Sequence, residues 1–451
     1  MRGSTSYTSG GTLPSESAAQ PLQSIPILGG LSRWTFWITR GALAILDQAL
    51  VAASNFLMGI LLARWLLPEQ YGSYALAFAI FLLLSAFHQA LLIEPQRIFG
   101  PSDYPDCLSK YLGVLLWMHA GLSVVLILAL GSSAWLMHVL GRQGSLPGTL
   151  AGVAVAAPCV LLMWLARGAF YVRLSPQYSV AGSAIYCAAV FGSLFLVQRL
   201  GIVSSFSAFL VMGLGALLSS AVLLARLKPV LKLSVVRPSW KTVGHQNWKY
   251  GRWVLASLIL NSVAGDIYYP LVSSFSGIAA AGELKALLNF SLPAAQTLAA
   301  LSVFFLPYAS RVHQGDGVTG LKALIWKMAW LFAALAIVYW VALILLSSRV
   351  LHLFYGSRYT QLGSLIPWVA AGSLPWNLAV VPTVALRAVR SSASIFVIYC
   401  ASCAVAVLVG IPTTWAFGLP GALWAMVLSN MAALIVAIIL VSRKLRTSSS
   451  S

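Results

Sequence analysis

The sequence predicts an all-α protein that spans a membrane about twelve times, with its helices in two six-helix halves. Apolar runs of roughly twenty residues, the length that crosses a bilayer as a helix, recur along the whole chain. Of the 451 residues, 60% are hydrophobic and only 8% are charged, too few to cover a water-soluble protein of this length. The runs show no strict alternation of apolar and polar residues, which favours helices over barrel strands.

The apolar runs divide the chain into two bundles with short polar ends. We predict a disordered cytoplasmic tail over 1–32, a six-helix bundle over 33–226, and a second bundle over 252–446 followed by a polar tail over 447–451. Between the bundles, 227–251 is predicted to be a basic cytoplasmic linker that contains Trp240 and Trp248. The predicted spans are 42–66, 74–95, 111–137, 150–173, 178–199, 206–226, 252–275, 285–308, 323–347, 362–386, 393–417 and 420–442.

The distribution of Lys and Arg among the loops predicts the orientation. With the N-terminus inside, 22 of the 28 basic residues fall on the cytoplasmic side, which supports an even number of spans and two cytoplasmic termini. Cytoplasmic loops also account for the net charge of +19 without a nucleic-acid partner. The linker is expected to attract anionic phospholipids. The basic residues predicted outside are Arg64, Arg142, Arg199, Lys285, Arg349 and Arg358.

Several kinds of chemistry lack their sequence signals. There is no Walker A sequence, so ATP cannot be bound by that route, and no loop exceeds about twenty-five residues, which argues against a folded catalytic domain. We therefore expect a protein that is not an enzyme and uses no cofactor. His88 and His119 lack the spacing of metal ligands, and the CxxC of Cys400 and Cys403 lies inside a predicted span, where packing is the favoured role.

Asp266 is the acidic residue that lies deepest in a predicted span. It stands in NSVAGDIYYP, in the middle of the seventh span and four residues before Pro270. A carboxylate at that depth costs at least about 2.5–3.5 kcal/mol, so it is expected to face a polar cavity or a partner. Two interpretations stay open, a substrate, proton or cation site and a buried structural acid. Asp47, which is shallower in the first span, is the second candidate for ion coupling.

Other polar side chains in the spans are candidates for lining a water-accessible interior. The uncharged candidates are Asn55, His88, Asn261 and Asn289. The basic candidates lie near the ends of spans and either extend to the interface or line a cavity, where a guanidinium suits phosphate. These are Arg64, Arg97, Arg167 and Arg387. Glu94 lies three residues before Arg97, and the spacing favours a helical ion pair.

The first hairpin, SNFLMGILLARWLLPEQYGSYAL, resembles that of the polysaccharide-transporter family. These proteins are the O-antigen and exopolysaccharide flippases of the multidrug/oligosaccharidyl-lipid/polysaccharide (MOP) exporter superfamily. Asp266 also falls where relatives often carry an Asp in the seventh helix. The resemblance extends over about residues 34–446, but only the first hundred are specific. The residues that match the hallmark are Asn55, Ala63, Arg64, Pro68, Glu69, Gly72 and Tyr74.

The turn after the seventh span is weakly similar in sequence to this first hairpin. LLPEQYGSYALAF and GIAAAGELKALLNF each place a Gly before a helix restart rich in Ala and Leu. The second turn departs from the family pattern because GELKA replaces Gly-x-Tyr. With six helices in each half, an internal repeat would be parallel, about an axis along the membrane normal.

The resemblance implies a flippase in the bacterial inner membrane that moves a lipid-linked, prenyl-pyrophosphate oligosaccharide for polysaccharide export. Alternating access would carry the headgroup through a cationic cavity, and partners would include a polysaccharide polymerase and other assembly proteins. A multidrug or peptidoglycan-precursor exporter of the same superfamily is the alternative. The alternative from another class is a membrane glycosyltransferase or polysaccharide polymerase.

Overall fold

A computed structural model of the chain describes residues 30–141, 144–231, 239–389 and 391–447. All regular secondary structure in these ranges is helical, which confirms the predicted fold class. Most of the predicted N-terminal tail and the last residues of the C-terminal tail lie outside the described residues.

In the part of the first half that the structure describes there are seven helices, of which α2 and α3 form one continuous rod through a π-helical segment at Gln89–Ile93. Two of the seven helices begin with proline at the first helical position, where its missing N–H costs nothing. Ser204 and Ser207 form a reciprocal cap before α7. The helices are α1 Gly30–Trp65, α2 Pro68–His88, α3 Glu94–Ser102, α4 Leu108–Val139, α5 Leu146–Val172, α6 Pro176–Arg199 and α7 Ser205–Leu227.

Within the described residues the second half contains nine helices, several of which are sections of a broken span. A 3-10 segment, Gly356–Leu365, joins α13 to α14, and Gly418 has φ +63°, which divides α16 where the predicted eleventh and twelfth spans meet. The helices are α8 Trp240–Asp266, α9 Tyr268–Ser276, α10 Ile278–Asn289, α11 Ser291–Gly315, α12 Gly317–Leu345, α13 Ser347–Tyr355, α14 Ile366–Ala388, α15 Ser392–Leu408 and α16 Gly410–Thr447.

These helices agree with about twelve membrane spans. By length and composition, ten continuous or broken helices in the described residues suffice to cross a membrane, and α15 is apolar but shorter. The predicted eighth span corresponds to α10 and α11, and it begins at Ile278, seven residues earlier than predicted. Likewise, α8 begins at Trp240, so the residues from Trp240 to Gly251 are helical although they were predicted to belong to the linker.

The two halves meet along a seam, and the largest buried apolar cluster contains residues of both halves. In the first half α5 packs against α4 and α7, and in the second half α14 and α16 pack together. Across the seam, α2 packs against α10, and α8 packs against α2 and the π-helical segment. We name the end of the bundle with the α1–α2 turn the turn end. The opposite end, where α1 begins, is the N-terminal end.

Candidate functional site

Asp266 lies at a break in the helix that runs along the seam. Pro270 causes the break, since it has no N–H for the carbonyl four residues before it and its ring collides with that carbonyl, which belongs to Asp266. The α-helix ends at Asp266 and resumes at Tyr268. The Asp266 side chain is half-buried. At the break, its carboxylate therefore lies beside a main-chain carbonyl that lacks its helical hydrogen-bond donor.

Lys285 is the basic side chain that faces Asp266 from across this break. It lies in α10, is half-buried, and interacts electrostatically with Asp266. Its Nζ atom lies 4.6 Å from the centre of the Phe78 ring on α2, which is within the range of a cation–π contact. Phe78 is ten residues from the start of α2, about 15 Å along the helix, so this group lies well inside the bundle.

The turn end of the seam is closed by direct contact between α2 and α10. A Cβ added to Gly72 would lie 1.8 Å from the carbonyl oxygen of Ile278, and one added to Gly282 would lie 2.9 Å from the Gly72 nitrogen. Only glycine permits backbones this close. Gly72 and Gly282, the glycines of the two similar turns, therefore lie against each other. Their contact places corresponding helices of the two halves together.

Asn289, the last residue of α10, links the two halves further inside the bundle. Its amide nitrogen donates to the Tyr71 hydroxyl at 3.2 Å and to the Tyr355 hydroxyl at 3.4 Å. The Tyr355 hydroxyl donates in turn to the Ala286 carbonyl at 3.0 Å. Asn289 is buried, and it was predicted to line the interior. It instead joins side chains from both halves of the bundle.

Asp47 and Arg167 form a buried ion pair within the first half. The Arg167 Nη2 atom lies 2.6 Å from Asp47 Oδ2, and both side chains are almost completely buried. The Tyr171 hydroxyl donates to the same oxygen, and the Ser183 hydroxyl donates to Oδ1. The pair joins α1 to α5 and α6, so the charge of Arg167 is already compensated and is not presented to the seam.

His88 and His119 contact each other inside the first half. His88 Nε2 lies 3.1 Å from His119 Nδ1, and His119 Nε2 lies 3.3 Å from the Ser123 hydroxyl. Both imidazoles are buried, at the end of α2 and in α4. Within the described ranges no group of three His, Cys, Asp or Glu side chains could hold a metal ion. The histidines therefore pack α2 against α4, away from the seam.

The remaining residues that the sequence predicted for the site do not come together in the structure. Arg64 and Arg387 are exposed in the last turns of α1 and α14. The predicted pair of Glu94 and Arg97 is confirmed, at 3.2 Å on the exposed surface. Asn55 and Asn261 are half-buried in α1 and α8.

Lys285 is the charged residue of the seam that the sequence predictions missed. They assigned it to the edge of an outside loop because the eighth span was started at residue 285. Gly277, with φ +92°, ends the preceding helix, and α10 begins directly after it. The helix-favouring run IAAAGELKALL after Gly277 was the available signal that Lys285 lies two turns inside a helix.

Comparison with solved structures shows the same architecture. The inward-facing conformation of a multidrug resistance MATE family transporter of the MOP superfamily matches with a TM-score of 0.74 and 13% identity, over 90% of this chain and 99% of that chain. An outward-facing conformation of such a transporter matches with a TM-score of 0.65 and 14% identity, over 92% and 96%.

A MOP superfamily transporter from Pyrococcus furiosus also matches, with a TM-score of 0.67 and 13% identity, over 92% of this chain and 96% of that chain. Its structure is described as having a binding pocket of reverse polarity that suggests a different function. No family model matches the chain, and no curated protein sequence is similar to it. At these identities the likeness concerns the fold, and the chain has the fold of the MOP-superfamily transporters.

Proposed function

We propose that this chain is an alternating-access transporter that moves a lipid-linked, pyrophosphate-bearing oligosaccharide across the bacterial inner membrane. The fold supports the transport class, because the solved structures that match over nine-tenths of the chain are transporters. The observation that carries the anionic cargo is Lys285, a cation held at the seam between the two halves.

The polarity of the seam is the physical reason for this choice of cargo. A pyrophosphate headgroup cannot enter hydrocarbon, since desolvating its charge would cost on the order of tens of kcal/mol, and it requires a polar, cationic path. Arg167 cannot supply that path because Asp47 neutralises it. Lys285 can supply it, because no carboxylate lies within 4.0 Å of its Nζ atom in the described structure, although Asp266 interacts with it from a greater distance.

The first turns of α8 extend this polarity toward the N-terminal end. Lys241, Lys249 and Arg252 are exposed, whereas the opposite face of the helix packs on the first half through Val243 and Asn247. Lys241 and Arg252 lie 11 residues apart and Arg252 and Asp266 lie 14 apart, close to whole turns at about 3.6 residues per turn, so all three share one stripe. A basic stripe of this kind favours the approach of an anionic headgroup along α8.

Under this proposal, the closed turn end indicates that the structure represents the inward-facing state. Gly72 and Gly282 bring α2 and α10 together there, and Asn289 joins the two helices further inside the bundle. The TM-score is also higher against the inward-facing MATE structure than against the outward-facing one. Transport would then require separation of α2 from α10, while the prenyl chain stays in lipid.

Replacement of Lys285 by Met tests the cargo. We expect flipping of a fluorescent prenyl-pyrophosphate oligosaccharide in proteoliposomes to fall by about tenfold or more, since a hydrogen bond to a charged group contributes about 1.5–3 kcal/mol. Lys285→Arg should retain most of the rate. Lys322→Met, at an exposed position on α12, is the matched control. Equal rates for the wild type and Lys285→Met would remove the seam cation from cargo binding.

Asp266 is the proposed coupling residue, and its amide tests that role. Asp266→Asn should leave membrane insertion unchanged, because the side chain keeps its size and loses only its charge. Flipping driven by an imposed ion gradient should fall to the rate measured without a gradient. Full gradient-driven activity in Asp266→Asn would exclude this carboxylate from coupling.

Export of cationic drugs is the second candidate, and it is favoured by the Asp266 carboxylate and by the multidrug MATE structures that share the fold. The two cargoes make opposite demands on Lys285. Loss of this positive charge should weaken the pyrophosphate cargo and improve binding of a cation. A competition assay between cationic dyes and prenyl-pyrophosphate sugars, in the wild type and in Lys285→Met, separates the two.

A further inference from the structure

The short helix α13 presents an amphipathic surface at the turn end. Leu351 and Tyr355 are buried on its inner face, and Phe354 stacks edge-on against Phe56 of α1 with ring centres 6.1 Å apart. Arg349 and His352, three residues apart, lie on the opposite, exposed face. The helix is therefore fixed to the bundle on one side and offers two nitrogen-rich side chains on the other.

These side chains line a shallow cavity of about 620 Å³, largely open at the surface, between α13 and the 3-10 segment that follows it. Its other lining residues are Ser348, Leu353 and Thr360. The Thr360 hydroxyl donates to the Ser357 carbonyl at 2.9 Å, whereas Ser348 is exposed. None of the lining residues is acidic, and within the described part of the chain neither Arg349 nor His352 pairs with a carboxylate.

The neighbouring apolar residues place this cavity at the boundary between lipid and water. Leu353, on the cavity wall, is 68% exposed, and Leu345, in the last turn of the spanning helix α12, is 79% exposed. Beside a spanning helix, aliphatic side chains this exposed favour a hydrocarbon environment, whereas Arg349 and His352 favour a polar one. A ligand of this cavity must satisfy both, with an anionic head and an apolar chain.

We propose that Arg349, His352 and Ser348 form a binding site for the phosphate of an anionic membrane lipid, with Leu353 against the start of its acyl chain. A guanidinium binds the two non-ester oxygens of a lipid phosphate as a pair, and an imidazole and a hydroxyl can donate to further lone pairs of the same two oxygens. Phe354 and Phe56 connect α13 to the seam beside α1, so the bound lipid lies next to the junction of the two halves. The site does not depend on the identity of the transported cargo.

Native mass spectrometry of the purified full chain with added phosphatidylglycerol or phosphatidylcholine tests the site. We expect the wild type to retain phosphatidylglycerol over phosphatidylcholine. The double variant Arg349→Gln with His352→Gln should retain phosphatidylglycerol about tenfold less well, which is the loss of one or two charge-assisted contacts. Both positions are exposed, and an unchanged elution volume in size-exclusion chromatography would show that the variant folds.

The matched control is Arg199→Gln, at an exposed arginine in the last turn of α6 at the same end of the bundle. It should keep the wild-type retention. Equal loss in Arg199→Gln would overturn the proposal, because general surface charge would then explain lipid binding. Unchanged retention in the double variant would overturn it too. Displacement of phosphatidylglycerol by an equal concentration of inorganic phosphate would also overturn it, since the ligand would then be free phosphate.

Discussion

Gly72→Ala should separate α2 from α10 at the turn end and shift the protein toward a state that is open there. The new Cβ would lie 1.8 Å from the Ile278 carbonyl oxygen and 2.6 Å from its carbon, and real Cβ contacts are essentially never under 3.0 Å. The colliding group is main chain, so no side-chain rotation relieves the clash. Overpacking of this kind costs about 1–3 kcal/mol, enough to change the balance of two states by about tenfold.

Spin labels at Leu67, in the α1–α2 turn, and Ser274, near the end of α9, would measure the separation. Both positions are exposed, and the five native cysteines would first be replaced. Gly72→Ala should lengthen the mean distance between the labels. Gly131→Ala in α4 is the control, because a Cβ there meets no atom within 4 Å. Identical distance distributions in Gly72→Ala and Gly131→Ala would contradict the turn-end closure.

Gly282→Ala provides a graded version of the same test. Its Cβ would lie 2.9 Å from the Gly72 nitrogen, a milder clash than the 1.8 Å contact at Gly72. The shift in the label distance should therefore be smaller than for Gly72→Ala but in the same direction. A larger shift for Gly282→Ala would mean that the two helices do not meet as described.

The number, type and approximate limits of the spans could be predicted because each is a local property of the chain. An apolar run of about twenty residues suffices to predict a spanning helix. The similarity between the two hairpin turns was also visible in the sequence. It gained meaning only in the structure, where Gly72 and Gly282 pack on each other. Local pattern therefore predicted both turns, but not that they touch.

Pairings across the bundle could not be predicted from spacing. Asp47 and Arg167 are 120 residues apart, and His88 and His119 are 31 apart. An isolated polar residue in an apolar helix shows that a partner exists but not which helix supplies it. For Arg167, snorkelling and cavity lining were both open, and the structure shows a third environment. Only the packing of α1 against α5 and α6 identifies its partner.

The environment of Asp47 bears on its predicted role in ion coupling. A carboxylate has about four acceptor positions, and Arg167, Tyr171 and Ser183 occupy three of them. An incoming cation would have to displace a buried guanidinium. Asp266 is half-buried at a helix break and has no comparable set of donors in the described structure. We therefore favour Asp266 over Asp47 as the coupling residue.

Asp47→Asn should destabilise the first half more than any surface substitution. It leaves the buried Arg167 guanidinium without its counter-charge, and breaking a buried pair from one side costs about 3–5 kcal/mol. Arg97→Gln removes the exposed pair with Glu94, where Arg97 is 47% and Glu94 28% exposed, and it should cost at most about 1 kcal/mol. Unfolding in mixed SDS micelles would measure both.

The double variant Asp47→Asn with Arg167→Leu distinguishes an ion pair from two separate contributions. Because it removes both charges, much of the stability lost in Asp47→Asn should return, and the coupling free energy of the cycle should be at least about 1–2 kcal/mol. Tyr171 and Ser183 donate to different carboxylate oxygens of Asp47, so the single amide oxygen of Asn can keep only one of these two bonds, and recovery should be incomplete. If the double variant were as unstable as the sum of the two single variants, the two residues would act independently. Asp47 would then regain its place as a candidate for ion coupling.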